Sequence, residues 1–561
     1  MRTYRWLEAA VFALCLASSC ALTTVAQRPH LYSKQEPIRL DFDMQNISKP
    51  ATYETGYLWD FSNNTFIQPF TKAPRFGRKS VEAYNVNVLD EVPNSSWFTN
   101  RNGLRQMSVA EIKRGPNETD GPAPGPLTVV KGKTNGITPG FQVKDSRGDI
   151  YLLKFDPIGY LEMSSGAEAI STRLFYAIGY NVPQNTIYRF RRDQLKLDPK
   201  ATFTDSMGQK RQLTEADIDA ILKLAASYPN GEYRALASKF LKGKPVGNFK
   251  FAGVREDDPN DIIPHEHRRD LRGLRVFAAW LNHNDIRNGN NLDMFVKEDG
   301  REFIRHYLID FGSTLGSDTA FPNSNEVGYA HQVDFGEARK SLLTFGLYQP
   351  HWRSTENRVQ FTSVGNFASD KFKPHQWKSN FPMEAFQNLT DRDAYWAAKI
   401  VASFTDEQIR AAVATGELSD PKAAEYLTQQ LIKRRDAIAQ EYFNRNAALD
   451  DLQLQQTSNG WVINFTDLKI QFARNNDETT YEYQLSPAGN PNQILAKGKL
   501  DSPRLELSSE LLRQIATSGS TEADRGVAQL KLKRTGDKKE MVAWVFYEDL
   551  RKHLRLVGQL N

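Results

Sequence analysis

The chain has almost no cysteine. Cys15 and Cys20 are its only two in 561 residues, so beyond position 20 neither a disulfide nor a cysteine-ligated zinc centre can form. Long apolar runs are missing too. Ala9–Ala17 (AAVFALCLA) spans nine residues, against the roughly 20 that cross a bilayer as a helix, and no later segment does better. Charge of one sign is also lacking. With 72 Lys+Arg against 67 Asp+Glu the net charge is +5, too even a balance to point to nucleic acid as a partner. GxxxxGK[ST], HExxH and GxSxG do not occur, and with them go the simplest phosphate-loop, zinc-peptidase and serine-hydrolase readings.

What is present is a globular composition, 40% apolar and 11% aromatic, which excludes disorder as the dominant state. At about 150 residues per domain the length allows about two to four domains. Arg2 and Arg5, the short apolar run and Thr24-Val25-Ala26 have the layout of an export signal over residues 1–26. Ala17-Ser18-Ser19-Cys20 also has the form of a bacterial lipobox, so lipidation at Cys20 and plain secretion both stand. Either route places the mature protein in the periplasm or outside the cell.

Residues 27–126 read as an irregular lead-in with scattered aromatics, closed by the Pro/Gly-rich loop Gly115–Pro126. From Leu127 the pattern is strand, glycine-bearing loop, strand, turn, strand, ending with Ile150–Asp156. Ser165 and Glu168 have capping-box spacing, Ile170, Leu174 and Ile178 make a helical stripe, and Gly179 ends it. Residues 191–450 read as mostly helical, with a long helix from Asp420-Pro421 to about Asn446. Past Trp461 the period becomes two. VINF, IQFA, YEYQL, RLEL, AQLKLKR, MVAWVFYE and LRLVG predict an all-β sandwich over 451–561.

The chemistry concentrates between Trp280 and Ser317. Leu292–Val296 and Phe303–Ile309 are apolar-rich strands flanking Asp299-Gly300, a strong hairpin signal. Asp285 and Asn290 precede the first strand and Asp310 follows the second, so all three converge at one end of the hairpin. An Asn and an Asp there suit Mg²⁺, which takes few protein oxygens plus water and phosphate. Asn291 competes with Asn290 for that role. Asp285 can accept a substrate hydroxyl proton.

An Asp, an Asn five residues on, then a hairpin ending in Asp-Phe-Gly resembles the catalytic and metal loops of the protein-kinase-like fold, closest to its HipA-like, CotH-like and phosphatidylinositol-kinase-like members. The resemblance covers 127–450 and implies an α+β, bilobal domain: an antiparallel-sheet N-lobe, a mainly helical C-lobe, and the C-terminal β-sandwich after them. It implies Asp285 as catalytic residue, and Asn290 and Asp310 on metal. YLLKFD places Lys154 on the nucleotide phosphates, with Glu168 as its helix partner. The loop Lys131–Gly140, with Gly132 and Gly136, stands where a phosphate cover belongs. Asn284 replaces the Arg of many protein kinases, Ile286-Arg287 replaces the Arg-His of HipA-like and lipid kinases, and the loop lacks a full GxGxxG.

The function so implied is Mg-dependent phosphoryl transfer from ATP or another nucleoside triphosphate to a protein, lipid or small-molecule acceptor in the envelope or outside the cell. The competing class is a non-catalytic binding or scaffold protein on the same fold, since exported proteins meet little ATP. A third is an envelope-assembly factor acting through the β-sandwich alone. Blander readings apply to single motifs. A second Asp-Phe-Gly at Asp334 is followed by helical GEARKSLLTF and reads as a helix cap. His265-Glu266-His267 reads as a solvated helix start, because i and i+2 point to different helix faces. Asp257-Asp258-Pro259-Asn260-Asp261 reads as a loop.

Overall fold

A computed structural model describes residues 31–53, 56–67, 81–132, 139–204, 209–354, 359–472 and 479–561. Residues 1–26, which read as an export signal from sequence, with Cys20, and Gly136 lie outside the described residues. The fold is mixed α+β. Seven strands, β1 (Leu127–Gly132), β2 (Gly140–Lys144), β3 (Ile150–Phe155), β4 (Asn185–Phe190), β5 (Leu195–Thr204), β6 (Lys210–Gln212) and β7 (Tyr233–Lys239), make one sheet in the order β4-β7-β3-β2-β1-β5-β6. All neighbours are antiparallel except β1 and β5. Three of these strands, and β8 (Lys244–Gly247), fall where the sequence reads as mostly helical. β7 (YRALASK) has weak strand character of its own. It is fixed by pairing with β3 on one side and β4 on the other, a tertiary effect that local pattern does not carry.

In β3 the alternation is strict. Tyr151, Leu153 and Phe155 are buried in the sheet's core, and Leu152 and Lys154 point the other way. The helix Met163–Ile178 packs against β3, β4 and β7. Its start differs from the Ser165–Glu168 capping box: Glu162 occupies the cap in a left-handed conformation (φ 74°) without a side-chain cap. The backbone N–H groups of Glu162 and Ser165 donate instead to Asp156, at 2.9 and 2.8 Å, so the residue just past the end of the preceding strand, β3, caps the helix.

β8, β9 (Asn291–Glu298) and β10 (Arg301–Leu308) form a second sheet. Asp299 and Gly300, both at positive φ, turn β9 into β10. The helices Arg269–Leu281, Asp391–Ala402, Asp406–Ala414 and Pro421–Arg445 share the largest core with Trp97, Phe98 and Ile112, so the lead-in is part of this body. It also has short helices, Tyr57–Ser62 and Val109–Arg114. Asp420 caps the long helix, and Thr405 with Gln408 forms a reciprocal capping box.

The C-terminal module has two antiparallel sheets: β11 (Leu449–Thr457), β12 (Gly460–Asp467) and β15 (Arg504–Ser508), and β14-β13-β16-β17-β18, where β13 is Tyr481–Pro487, β14 Ala496–Leu500, β16 Val527–Arg534, β17 Met541–Glu548 and β18 His553–Leu560. Leu449, Ile463 and Leu507 from the first and Leu485, Leu530 and Val545 from the second share one core. IQFA is not a strand there. Its residues 470–472 end the helix Leu468–Phe472, because Asp467 caps the N–H groups of Lys469 and Ile470. The module is sewn to the rest: Ser33 N–H donates to Val557 O at 2.9 Å, Tyr32 stacks on Trp544, and Lys399 bridges Glu91 and Asp450. Among the described residues no helix is long and apolar enough to cross a membrane.

Candidate active site

Lys154, Glu168, Asp285, Asn290 and Asp310 line a single cleft of about 930 Å³ between the seven-stranded sheet and the hairpin. Lys154 reaches it from the face of β3 opposite the sheet's core. Its Nζ stands 2.7 and 2.9 Å from the two oxygens of Glu168, and 2.9 Å from Asp310 Oδ1. Burial works against the ammonium. The carboxylates of Asp310 and Glu168 outweigh it and hold the lysine pKa above its ordinary value. Glu168 sits one turn inside its helix and is almost fully buried, so the pair is shielded from solvent.

The hairpin register explains the other end of the cleft. Asn291 pairs with Leu308, and the N–H of Ile309 donates to Asn290 O, so Asn290 and Asp310 lie side by side. Asp310 adopts φ 63°, a left-handed conformation that Asp tolerates better than most residues. Phe311 behind it is fully buried, stacked on Phe175 of the Met163–Ile178 helix at 4.9 Å and set edge-on to His283 at 5.7 Å. Gly312 fits because any Cβ would stand 3.0 Å from Ser164 Oγ. Asn291, the competing amide, is fully buried and exchanges hydrogen bonds with the backbone of Phe249, so it faces away from the cleft.

Asp285 accepts from Asn290 Nδ2 at 2.7 Å and from Arg287 Nε at 3.2 Å. Burial raises its pKa, opposed by the Arg287 charge. The Asn290 amide nitrogen is spent on the backbone and side-chain oxygens of Asp285, so the atom it can offer a cation is its oxygen. That oxygen and the Asp310 carboxylate make an oxygen-only donor set, the chemistry a hard divalent cation requires.

One predicted position is not brought here. Gly132 does not line the cleft: a Cβ on it would meet the Phe203 ring at 2.5 Å, so its smallness serves packing against β5. Gly136 lies outside the described residues. His265 is buried rather than solvated, with Nε2 2.7 Å from Asp261 Oδ2, and no group of three His, Cys, Asp or Glu among the described residues could hold a metal. Asp334 caps the helix Phe335–Leu343 through the N–H groups of Gly336 and Glu337. Arg287 lines the cleft and donates to Asp285, a role that no sequence motif marks, whereas Asp156 does not line the cleft and positions it only through the start of the helix bearing Glu168. Asp156 leaves a signal in its place two residues after Lys154, where a buried carboxylate can reach the next helix start.

No family model matches the chain, and no curated protein matches it. Among solved structures, it is similar to a Helicobacter pylori proinflammatory kinase, CtkA, with 13% identity, a TM-score of 0.31, and 58% of this chain and 96% of that one covered. It is also similar to the Golgi casein kinase, with 10% identity, a TM-score of 0.30, and 72% and 94% covered. The same kinase with Mn/ADP bound gives 10% identity and a TM-score of 0.28, covering 71% and 94%. At such values the likeness decides nothing about the cleft, whose geometry has to speak for itself.

Proposed function

We propose that the protein is a kinase-like, Mg-dependent phosphotransferase that moves the γ-phosphate of ATP or a related nucleotide to an acceptor hydroxyl. The observation that carries this reading is the position of Lys154 between Glu168 and Asp310, in a cleft that also presents Asp285 and Asn290. Lys154 binds nucleotide phosphates as a fixed point charge, and Glu168 keeps its ammonium aimed into the cleft. Asn290 and Asp310 are the residues that would hold Mg²⁺, which supplies charge neutralisation at the phosphates. Asp285 orients the acceptor hydroxyl and takes its proton.

Export through residues 1–26, as a secreted protein or a lipoprotein tethered at Cys20, belongs to this proposal and sets the acceptor in the envelope or outside the cell. The two-sheet module is read as a binding or packing domain. The decisive experiment uses purified mature chain. Mg-ATP should raise its melting temperature and label an added acceptor or the chain itself, and Asp310→Ala should lose both effects. Binding without transfer would favour the scaffold alternative, and neither binding nor transfer would end the nucleotide reading.

A further inference from the structure

We propose that Asp60, in the lead-in helix Tyr57–Ser62, is a positioning residue for the loop that carries Asp285 and Asn290. The inference rests on the phosphotransfer reading for its catalytic meaning, and on geometry alone for its structural one. Asp60 is 3% exposed. Its Oδ1 accepts from Asn288 Nδ2 at 2.6 Å and from Asn64 Nδ2 at 2.6 Å. Its Oδ2 is buried and makes no hydrogen bond among the described residues. An apolar side chain would fill such a place at lower cost, so a carboxylate there needs a reason beyond packing.

The loop supplies that reason. Asn288, Gly289 and Asn290 form a single 3₁₀ turn, so the residue Asp60 grips lies in the same rigid turn as Asn290, which in turn holds Asp285. Arg287, next in chain, donates to Asp285 and lies so close over Gly289 that a Cβ there would stand 2.3 Å from its Nη1. The negative charge of Asp60 attracts that same guanidinium. One buried carboxylate therefore acts on both sides of Asp285, through an amide on one side and a cation on the other. The helix bearing Asp60 is pinned in turn, with Phe61 edge-on to Phe381 at 5.9 Å, next to the cleft-lining Asn380.

The test compares full-length wild type, Asp60→Ala and Asn288→Ala, which break the same bond from opposite ends. Amide hydrogen exchange should accelerate about tenfold to a hundredfold within residues 285–291 in both variants, and not across the chain. Phosphate transfer should lose kcat on the order of 10²-fold with KM for ATP nearly unchanged, and Asp60→Asn, which keeps an acceptor oxygen, should recover a large part of it. Unchanged exchange in 285–291 would overturn the brace, as would acceleration spread evenly over the chain, which marks a residue of general stability. Wild type that transfers no phosphate, with local loosening still present in the variants, would overturn the phosphotransfer reading and leave the brace standing.

Discussion

Asp310-Phe311-Gly312 and Asp334-Phe335-Gly336 are identical tripeptides in different surroundings, and each aspartate has a lysine partner, Lys154 at 2.9 Å for the first and Lys378 at 2.6 Å for the second. The ion pair does not distinguish them. What differs is the approach of the chain. Asp310 leaves a paired strand in a left-handed conformation, its lysine is shared with Glu168, and Phe311 is fully buried. Asp334 leaves a loop in extended conformation, spends its carboxylate on two helix N–H groups, and is followed by a half-exposed Phe335. The preceding hairpin, more than the three letters, makes one a candidate metal ligand and the other a cap.

That contrast can be broken by experiment. Asp310→Ala should cut phosphate transfer by at least about 10³-fold, whereas residual activity near wild type would remove Asp310 from the chemistry. Glu168→Gln should cost about 10²-fold, because Lys154 loses the carboxylate that aims it; assays of nucleotide affinity and turnover together read this, and unchanged turnover would make the pair structural only. Acid should act on the first tripeptide through its neighbouring histidine. His283, packed against Phe311, has its pKa pushed down to about 4 by burial, from 6.5. Its native neutrality means stability is complete above about pH 6.5 and falls by roughly 3 kcal/mol as pH drops towards 4. Denaturation midpoints across that window should show the slope, and His283→Asn with an undiminished slope would refute the assignment. The smallest effect belongs to the second tripeptide: Asp334→Ala should cost about 1 kcal/mol of stability as a lost cap with transfer within about twofold. A large loss of transfer there would erase the distinction.

The elements around the first tripeptide are readable because each has a strong local cause. Asp299-Gly300 permits the positive-φ turn, the alternation in β3 turns Lys154 away from the core, and Gly179 ends the helix that bears Glu168. The fold is less legible where pairing or burial at long range decides. β5 to β8 hold their shape through neighbours, Ile470–Phe472 follows an aspartate cap, and the place of His265 depends on Asp261. Asp60 is the extreme case. Its partner Asn288 is 228 positions away, and nothing within its own segment marks it.

The seam between Tyr32, Ser33 and the last strands of the chain makes the described polypeptide a closed circuit, its early segment held against its final one. Pulled from residue 31 and residue 561, such a molecule would be loaded as a zipper at that seam first, with the cleft shielded until it opens. The same closure brings residue 31 beside β18, so a mature start anchored to a surface would hold the C-terminal module next to that surface.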